Sequence, residues 1–392
     1  MIICKLACEL PPSLLRPLPI LGMGMVVLGF VLIIILISVP SKMKVDPLFY
    51  VFAAFSFTCM VGLTNALEQD GFISGFMGFY IKSGEPHLGS AYAVMTSYWE
   101  GVIHLVLFLT IIHRMFKGTS YRSLGLLWAG SSVAHQVVHI PGVVVGKYGS
   151  NIRPAFWRNV PFFLVPFWAA CQLFSRPREI PVIPADKIAA EQKKGLLSRP
   201  VDLLLSALLL AAMAFSVFRG LVVLDCPLDA CFTYIYQYEP YLKDPVGFPR
   251  VMMLVYSFYA LPLLTVFTCG LKTPGCTWML DWTIFFAGAM AQVTRLLPLC
   301  RCLYPLKKPH PALRLTFLLL FSQTQWCHIG ASLHSRTPFT YRVPADKWWP
   351  VISLNVLLAV VPVLLALRCH ISPAYFMKPV PEGQTDKDKK KN

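Results

Sequence analysis

Residues 223–249 read Val-Leu-Asp-Cys-Pro-Leu-Asp-Ala-Cys-Phe-Thr-Tyr-Ile-Tyr-Gln-Tyr-Glu-Pro-Tyr-Leu-Lys-Asp-Pro-Val-Gly-Phe-Pro, an acidic, aromatic loop between two long apolar runs. The loop has an echo upstream. Leu67-Glu68-Gln69-Asp70-Gly71 followed by Gly84-Glu85-Pro86-His87-Leu88 resembles Leu224-Asp225 followed by Tyr238-Glu239-Pro240-Tyr241-Leu242, with Glu85 and Glu239 154 residues apart. Two other pairs keep nearly that offset. Asp46 and Asp202 open the first helix of each half, 156 apart, and Trp128-Ala129-Gly130 matches Phe286-Ala287-Gly288, 158 apart. The chain is therefore read as a duplication. Internal repeats are common in membrane proteins that bind a ligand between their halves, although a repeat alone is weak support for transport.

With 56% hydrophobic and 14% charged residues among 392, the composition excludes both a soluble globule and a disordered chain. A bilayer core takes about 20 apolar residues per helix. Runs of that kind lie at 20–39, 48–67, 89–112, 123–146, 159–175, 203–224, 251–271, from Trp282 onward, and at 348–367. The fold class is all-α: a polytopic membrane protein with about nine transmembrane helices, an N-terminal anchor followed by two four-helix repeats. The first run is longer than a signal-peptide core and has no Ala-x-Ala after it, so it reads as a retained anchor. The divisions are 1–44 (N-terminus with anchor), 45–175 (first repeat), 176–200 (basic linker), 201–368 (second repeat) and 369–392 (tail).

The net charge of +16 is assigned to cytosolic loops, where Lys and Arg accumulate, rather than to nucleic acid, for which the chain carries no motif. Arg114, Lys117 and Arg122 and the 176–200 linker mark the cytosolic side. The loops around Glu68–Glu85 and Asp225–Asp244 then face the lumen, with Lys147, Arg153 and Arg158 as exceptions. The C-terminus falls in the cytosol, and Lys389 and Lys390, fourth and third from its end, look like a dilysine retrieval signal. Most of the twelve cysteines sit in apolar runs as small hydrophobes. Cys226 and Cys231 flank Pro227 in the lumenal loop, a compartment that permits a disulfide between them.

Ionisable residues inside a span are functional candidates. Glu100 and His104 are four apart and so share a helix face, beside Tyr98 and Trp99. They read either as ligand contacts or an acid/base pair, or as a buried hydrogen-bonded pair that holds the bundle together. His135 and His139 also share a face, but no carboxylate or cysteine accompanies them, so no metal and no cofactor is expected. His328 and His334 read as structural or interfacial, facing lipid headgroups.

A family resemblance rests on Asp46-Pro47-Leu48-Phe49, Tyr98-Trp99-Glu100-Gly101, Gly146-Lys147-Tyr148, Arg153-Pro154-Ala155-Phe156, Phe218-Arg219-Gly220-Leu221, Leu224-Asp225-Cys226-Pro227, His328-Ile329-Gly330-Ala331-Ser332-Leu333-His334 and Thr337-Pro338-Phe339-Thr340-Tyr341-Arg342-Val343-Pro344. These resemble the transmembrane 6 superfamily over about residues 46–376, and the run from Tyr234 to Pro245 resembles its member 2 branch. The resemblance implies tandem EXPERA domains, the fold of the emopamil-binding sterol isomerase and the sigma-2 receptor. It also implies residence in the endoplasmic reticulum and the ER-Golgi intermediate compartment, and control of triglyceride-rich lipoprotein secretion and lipid droplet content. Two departures stand out. Residues 1–44 do not resemble the family, and 293–323 (Arg295, Cys300-Arg301-Cys302, Lys307-Lys308) reads as a splicing or gene-assembly insertion. Joining its flanks restores one span; left in place, 315–333 forms a separate span and moves the C-terminus to the lumen.

The expected function is binding of sterol or another membrane lipid by Glu100, His104, Tyr98, Trp99 and Trp128, with lipoprotein-assembly or lipid-synthesis proteins as partners. The alternatives are a sterol isomerase using Glu100 and His104, and a lipid transporter or scramblase. Residues 51–64 of the first span carry no acid or base, unlike the isomerase relatives, which disfavours catalysis. The loop bearing Asp225, Tyr236, Tyr238, Glu239 and Tyr241 reads as a lumenal lid or docking surface, because aromatic side chains settle at the membrane interface.

Overall fold

The computed structural model describes residues 17–38, 46–178, 183–290 and 323–378. Their regular structure is helical, as the apolar runs require: a chain in lipid must satisfy its backbone internally. Helix α1 spans Pro17–Ser38, α2 Pro47–Gln69, α3 Ala91–Phe116, α4 Arg122–Val145, α5 Asn159–Ser175, α6 Pro200–Val223, α7 Phe248–Lys272, α8 Met279–Met290, α9 Gln323–Leu333 and α10 Trp348–Ile371. Among the described residues, five helices are long and apolar enough to cross a membrane: Pro47–Gln69, Ala91–Phe116, Pro200–Val223, Phe248–Lys272 and Phe339–Ile371. Gly24–Ile34 and Met279–Met290 are shorter and apolar. The insertion at 293–323, apart from Gln323, and the tail lysines Lys389 and Lys390 lie outside the described residues.

Local chemistry sets the helix ends. Asp46 caps α2, accepting from the Leu48 amide at 3.0 Å, with Pro47 in the first turn where a missing N–H costs nothing. Asp46 also takes a two-pronged bond from Arg176 at the end of α5 (2.6 and 2.9 Å). The second half repeats this device with other atoms. Asp202 on α6 is held by Arg368 at the end of α10 (2.6 and 2.9 Å) and by Arg199. Burial alone would raise Asp46, but Arg176, Tyr121 and the Leu48 amide hold it below the usual carboxylate range.

The halves are interlocked. Helix α4 packs on α8 and α7, while α9 packs on α3, so the third helix of each half lies against the second helix of the other. At the crossing, a Cβ on Gly130 would run into the Phe285 carbonyl oxygen, and one on Gly288 into the Leu127 carbonyl oxygen. Leu127 and Phe285 are 158 apart, as are Gly130 and Gly288. Each residue thus meets the counterpart of its own partner, the signature of an isologous, two-fold interface, here within one chain. Arg122 at the start of α4 closes the linker end of this crossing by gripping Asp281 on α8 at 2.5 and 2.9 Å, and Arg178 adds a third bond at 2.5 Å.

Helices α8 and α9 together fill the place that α4 fills in the first half. Beyond the insertion the offset becomes 189, and Gln136-x-x-His139-Ile140 falls on Gln325-x-x-His328-Ile329. Helix α9 packs on α3, α8 and α10, while most of the 315–333 stretch considered as a separate span lies outside the described residues.

Candidate functional site

In each half a glutamate from the loop end is buried among polar groups. In the second half this is Glu239, 0% exposed. Arg219 of α6 grips both its oxygens (2.8 and 2.9 Å), Tyr234 donates to it at 2.7 Å, His328 of α9 lies at 2.7 Å, and Asn355 of α10 donates at 3.3 Å. Burial alone would push Glu239 up; Arg219 and His328 outweigh it and bring it down to about 2. Tyr234 is pushed up, by burial and then by the Glu239 charge. A buried carboxylate is tolerated when it is paired and hydrogen-bonded, and Arg219, Tyr234, His328 and Asn355 all meet Glu239.

In the first half the counterpart is Glu85. Tyr80, 154 residues before Tyr234, donates to it, Arg158 bonds it at 2.5 Å, and Asn159 reaches it at 3.4 Å. The cation comes from a different helix. The residue aligned with Arg219 is Asn65, which bonds Ser97 at 3.3 Å instead. His87 stands 3.8 Å from Glu85, and burial lowers its affinity for a proton.

Deeper in the first half, α3 widens into a π-turn over Glu100–His104, a feature frequent at functional sites. The second half widens α7 at the equivalent Tyr256–Ala260, 156 residues on, with no acid or base in it. Gly101 lets α2 approach this turn, since a Cβ there would collide with Leu63. Glu100 is 33% exposed at its side chain, and its charge-capable partner among the described residues is His135 at 3.8 Å. His104 instead bonds Ser131 at 2.9 Å. Cys59 on α2, Tyr92 on α3 and Cys327 on α9 are the other ionisable groups close enough to feel the Glu100 charge.

The structure redistributes several expected roles. Glu100 and His104 turn to different residues of α4, so the acid/base facing pair is Glu100 and His135. Tyr98 points away, donating to Asp70 at 2.8 Å. Trp99 is buried in the large shared core, and Trp128 in an aromatic box of Phe52, Phe55 and Phe108, well packed rather than open. Glu239 and Tyr241 are buried and cannot present a docking surface, because Arg219 draws the carboxylate inward; Asp225 and Tyr236 remain exposed and Tyr238 half-buried. His328 lies buried against Glu239, a structural role, and His334 pairs with Asp70 at 3.2 Å. Cys226 and Cys231 are both free thiols in this structure.

The sequence of the chain matches known proteins. The family model described as "Transmembrane 6 superfamily member 2-like, transmembrane domain" matches residues 4–184, so the N-terminal stretch expected to depart from the family lies almost wholly within the match. "Transmembrane 6 superfamily member 2" of Mus musculus is 42% identical over 98% of this chain and 96% of its own length. The chain belongs to the transmembrane 6 superfamily. Within that superfamily the Homo sapiens protein of the same name is 42% identical over 97% of this chain and 93% of its own length. No solved structure matches the chain.

Proposed function

We propose that this superfamily member is a non-catalytic protein of the endoplasmic reticulum and ER-Golgi intermediate compartment that binds sterol or another lipid between the helices of its first half. Through that binding it regulates triglyceride-rich lipoprotein secretion and lipid droplet content, together with lipoprotein-assembly or lipid-synthesis proteins. The observation that carries the reading is Glu100: a carboxylate in mid-helix, one-third open, with no cation on it among the described residues. A charge so placed in a spanning helix is costly, and such residues mark ligand or ion sites. His135 lies 3.8 Å from Glu100, and Tyr92 and Cys59 are near enough to feel its charge, so the carboxylate sits as a polar spot among apolar helices, as the few polar groups of a lipid pocket do. Tyr236 and Tyr238, at the exposed end, form the lid toward the lumen, and Lys389 and Lys390 return the protein to the endoplasmic reticulum.

Mass spectrometry of lipids that copurify with the full chain tests this. The expected result is a lipid class enriched over bulk phospholipid and depleted in Glu100→Gln; a bulk profile in both contradicts it. The isomerase reading has one observation of its own, the Glu100–His135 pair at 3.8 Å. Turnover of a sterol by wild type, lost in Glu100→Gln while lipid still copurifies, would establish that reading instead.

A further inference from the structure

Both halves set an aromatic ring from the loop against the histidine of the third helix, but only the first half extends the contact. In the second half Tyr241 meets His328 at 5.2 Å and the sequence of groups stops at Glu239. In the first half the position of Tyr241 is taken by His87, which meets His139 at 5.0 Å; His139 meets His135 one turn along α4 at 5.1 Å. The two ends of this file are carboxylates, Glu85 at 3.8 Å from His87 and Glu100 at 3.8 Å from His135. All three imidazoles are buried, at 3%, 3% and 9% exposure for His87, His139 and His135.

Four polar atoms along the file have no hydrogen-bond partner: His87 Nε2, His139 Nδ1, His135 Nδ1 and Gln136 Oε1. Buried polar atoms are almost always paired, with protein groups or with ordered water. Tyr92 and Phe248 stack along one side of the rings and fix their order. A metal ion does not explain the cluster, since among the described residues no three His, Cys, Asp or Glu side chains are placed to share one.

We propose that Glu85, His87, His139, His135 and Glu100 form a hydrated proton path from the lumenal loop to the centre of the first half. A proton arriving from the lumenal end is taken by one nitrogen of each imidazole while the other nitrogen releases one inward. The last transfer places it on a Glu100 oxygen, converting the carboxylate to the neutral acid. His104 stays outside the path because Ser131 holds its Nε2, and Cys59, Tyr92 and Cys327 are the remaining ionisable groups around Glu100. At the entrance Arg158 and Tyr80 hold Glu85, and the Arg158 side chain is 29% exposed. The consequence for the lipid site rests on the function proposed above: the charge met by a bound lipid follows lumenal acidity.

Infrared difference spectroscopy of the full chain in nanodiscs reads the carbonyl band of a protonated buried carboxylic acid without any ligand. Stepping from about pH 7.5 to about pH 5.5 brackets the ordinary histidine range. The wild type is expected to show the band, and Glu100→Gln to lack it. His139→Phe is expected to slow its rise about a hundredfold, the scale of a lost proton-transfer group. His87→Tyr installs the residue the second half already accommodates, keeps the fold, and is expected to slow the band likewise. No band in wild type, or an unchanged rate in folded His87→Tyr, overturns the path. Copurifying lipid measured on the same samples reports separately on the lipid site, which can stand if the path falls.

Discussion

Glu239 and Glu85 hold the same place in the two halves and live in different surroundings. Glu239 is sealed by Arg219 from its own first helix and by His328, so its half is closed around an ion pair. Glu85 takes its cation from Arg158 at the entry to α5, which leaves Asn65 where Arg219 would be and frees His139 from the carboxylate. The polar groups of the first half are consequently spread along α3 and α4 and end at Glu100. One half gathers its buried charge into a single cluster, and the other spreads its polar groups along two helices. A duplicated bundle can divide labour in this way because each half supplies the other's third-helix contacts, so one may specialise without losing its packing.

The largest effect expected from this contrast is at Arg219. Arg219→Ala strands a fully buried carboxylate and should cost about 3–5 kcal/mol, read as lost thermal stability in detergent. The same network predicts a pH dependence. Glu239 is held down at about 2 in the folded protein against an ordinary 4.5, so its contribution is complete above about pH 4.5 and is lost as pH falls toward about 2. An acid-unfolding curve whose midpoint shifts in Glu239→Gln checks this; an unshifted curve contradicts it. Gly288→Val, which drives a branched side chain into the Leu127 carbonyl, should cost about 3 kcal/mol through forced separation of α4 and α8. Gly130→Val should match it, because the crossing is two-fold.

Smaller effects belong to the open half and the rim. Arg158→Ala leaves Glu85 with Tyr80 and Asn159 and should cost about 1–2 kcal/mol, less than Arg219→Ala; equal losses would erase the distinction between the halves. Tyr236→Ala with Tyr238→Ala should change stability by no more than about 0.5 kcal/mol while lowering lipid secretion from cells, and unaltered secretion would remove the lid.

Much of the architecture was legible in composition and spacing. The apolar runs gave the helices, and the Glu85/Glu239 and Gly130/Gly288 pairs pointed to the duplication, while the crossing at the two glycines emerged only from the packing. The site was less so. The Gln-x-x-His-Ile repeat of α4 and α9 was hidden because the insertion changes the offset from 158 to 189. Tyr80 and Tyr234 were in register at 154 and carried the signal for the buried glutamates, yet an acidic loop reads as exposed until Arg219 is placed beneath it. The spacing of Glu100 and His104 misled because helix periodicity says which face two residues share, not which neighbour each meets across it. The π-turn and the separate pull of Ser131 and His135 belong to tertiary packing.

The most direct test of the central claim is photocrosslinking with a diazirine-bearing sterol in the intact chain, with adducts mapped by mass spectrometry. The account predicts adducts on α3 and α4 around Glu100 and His135, competed by unlabelled sterol and reduced in Glu100→Gln. Adducts centred on α6 and α9 around Glu239, or spread evenly over the lipid-facing helices and insensitive to Glu100→Gln, would contradict it.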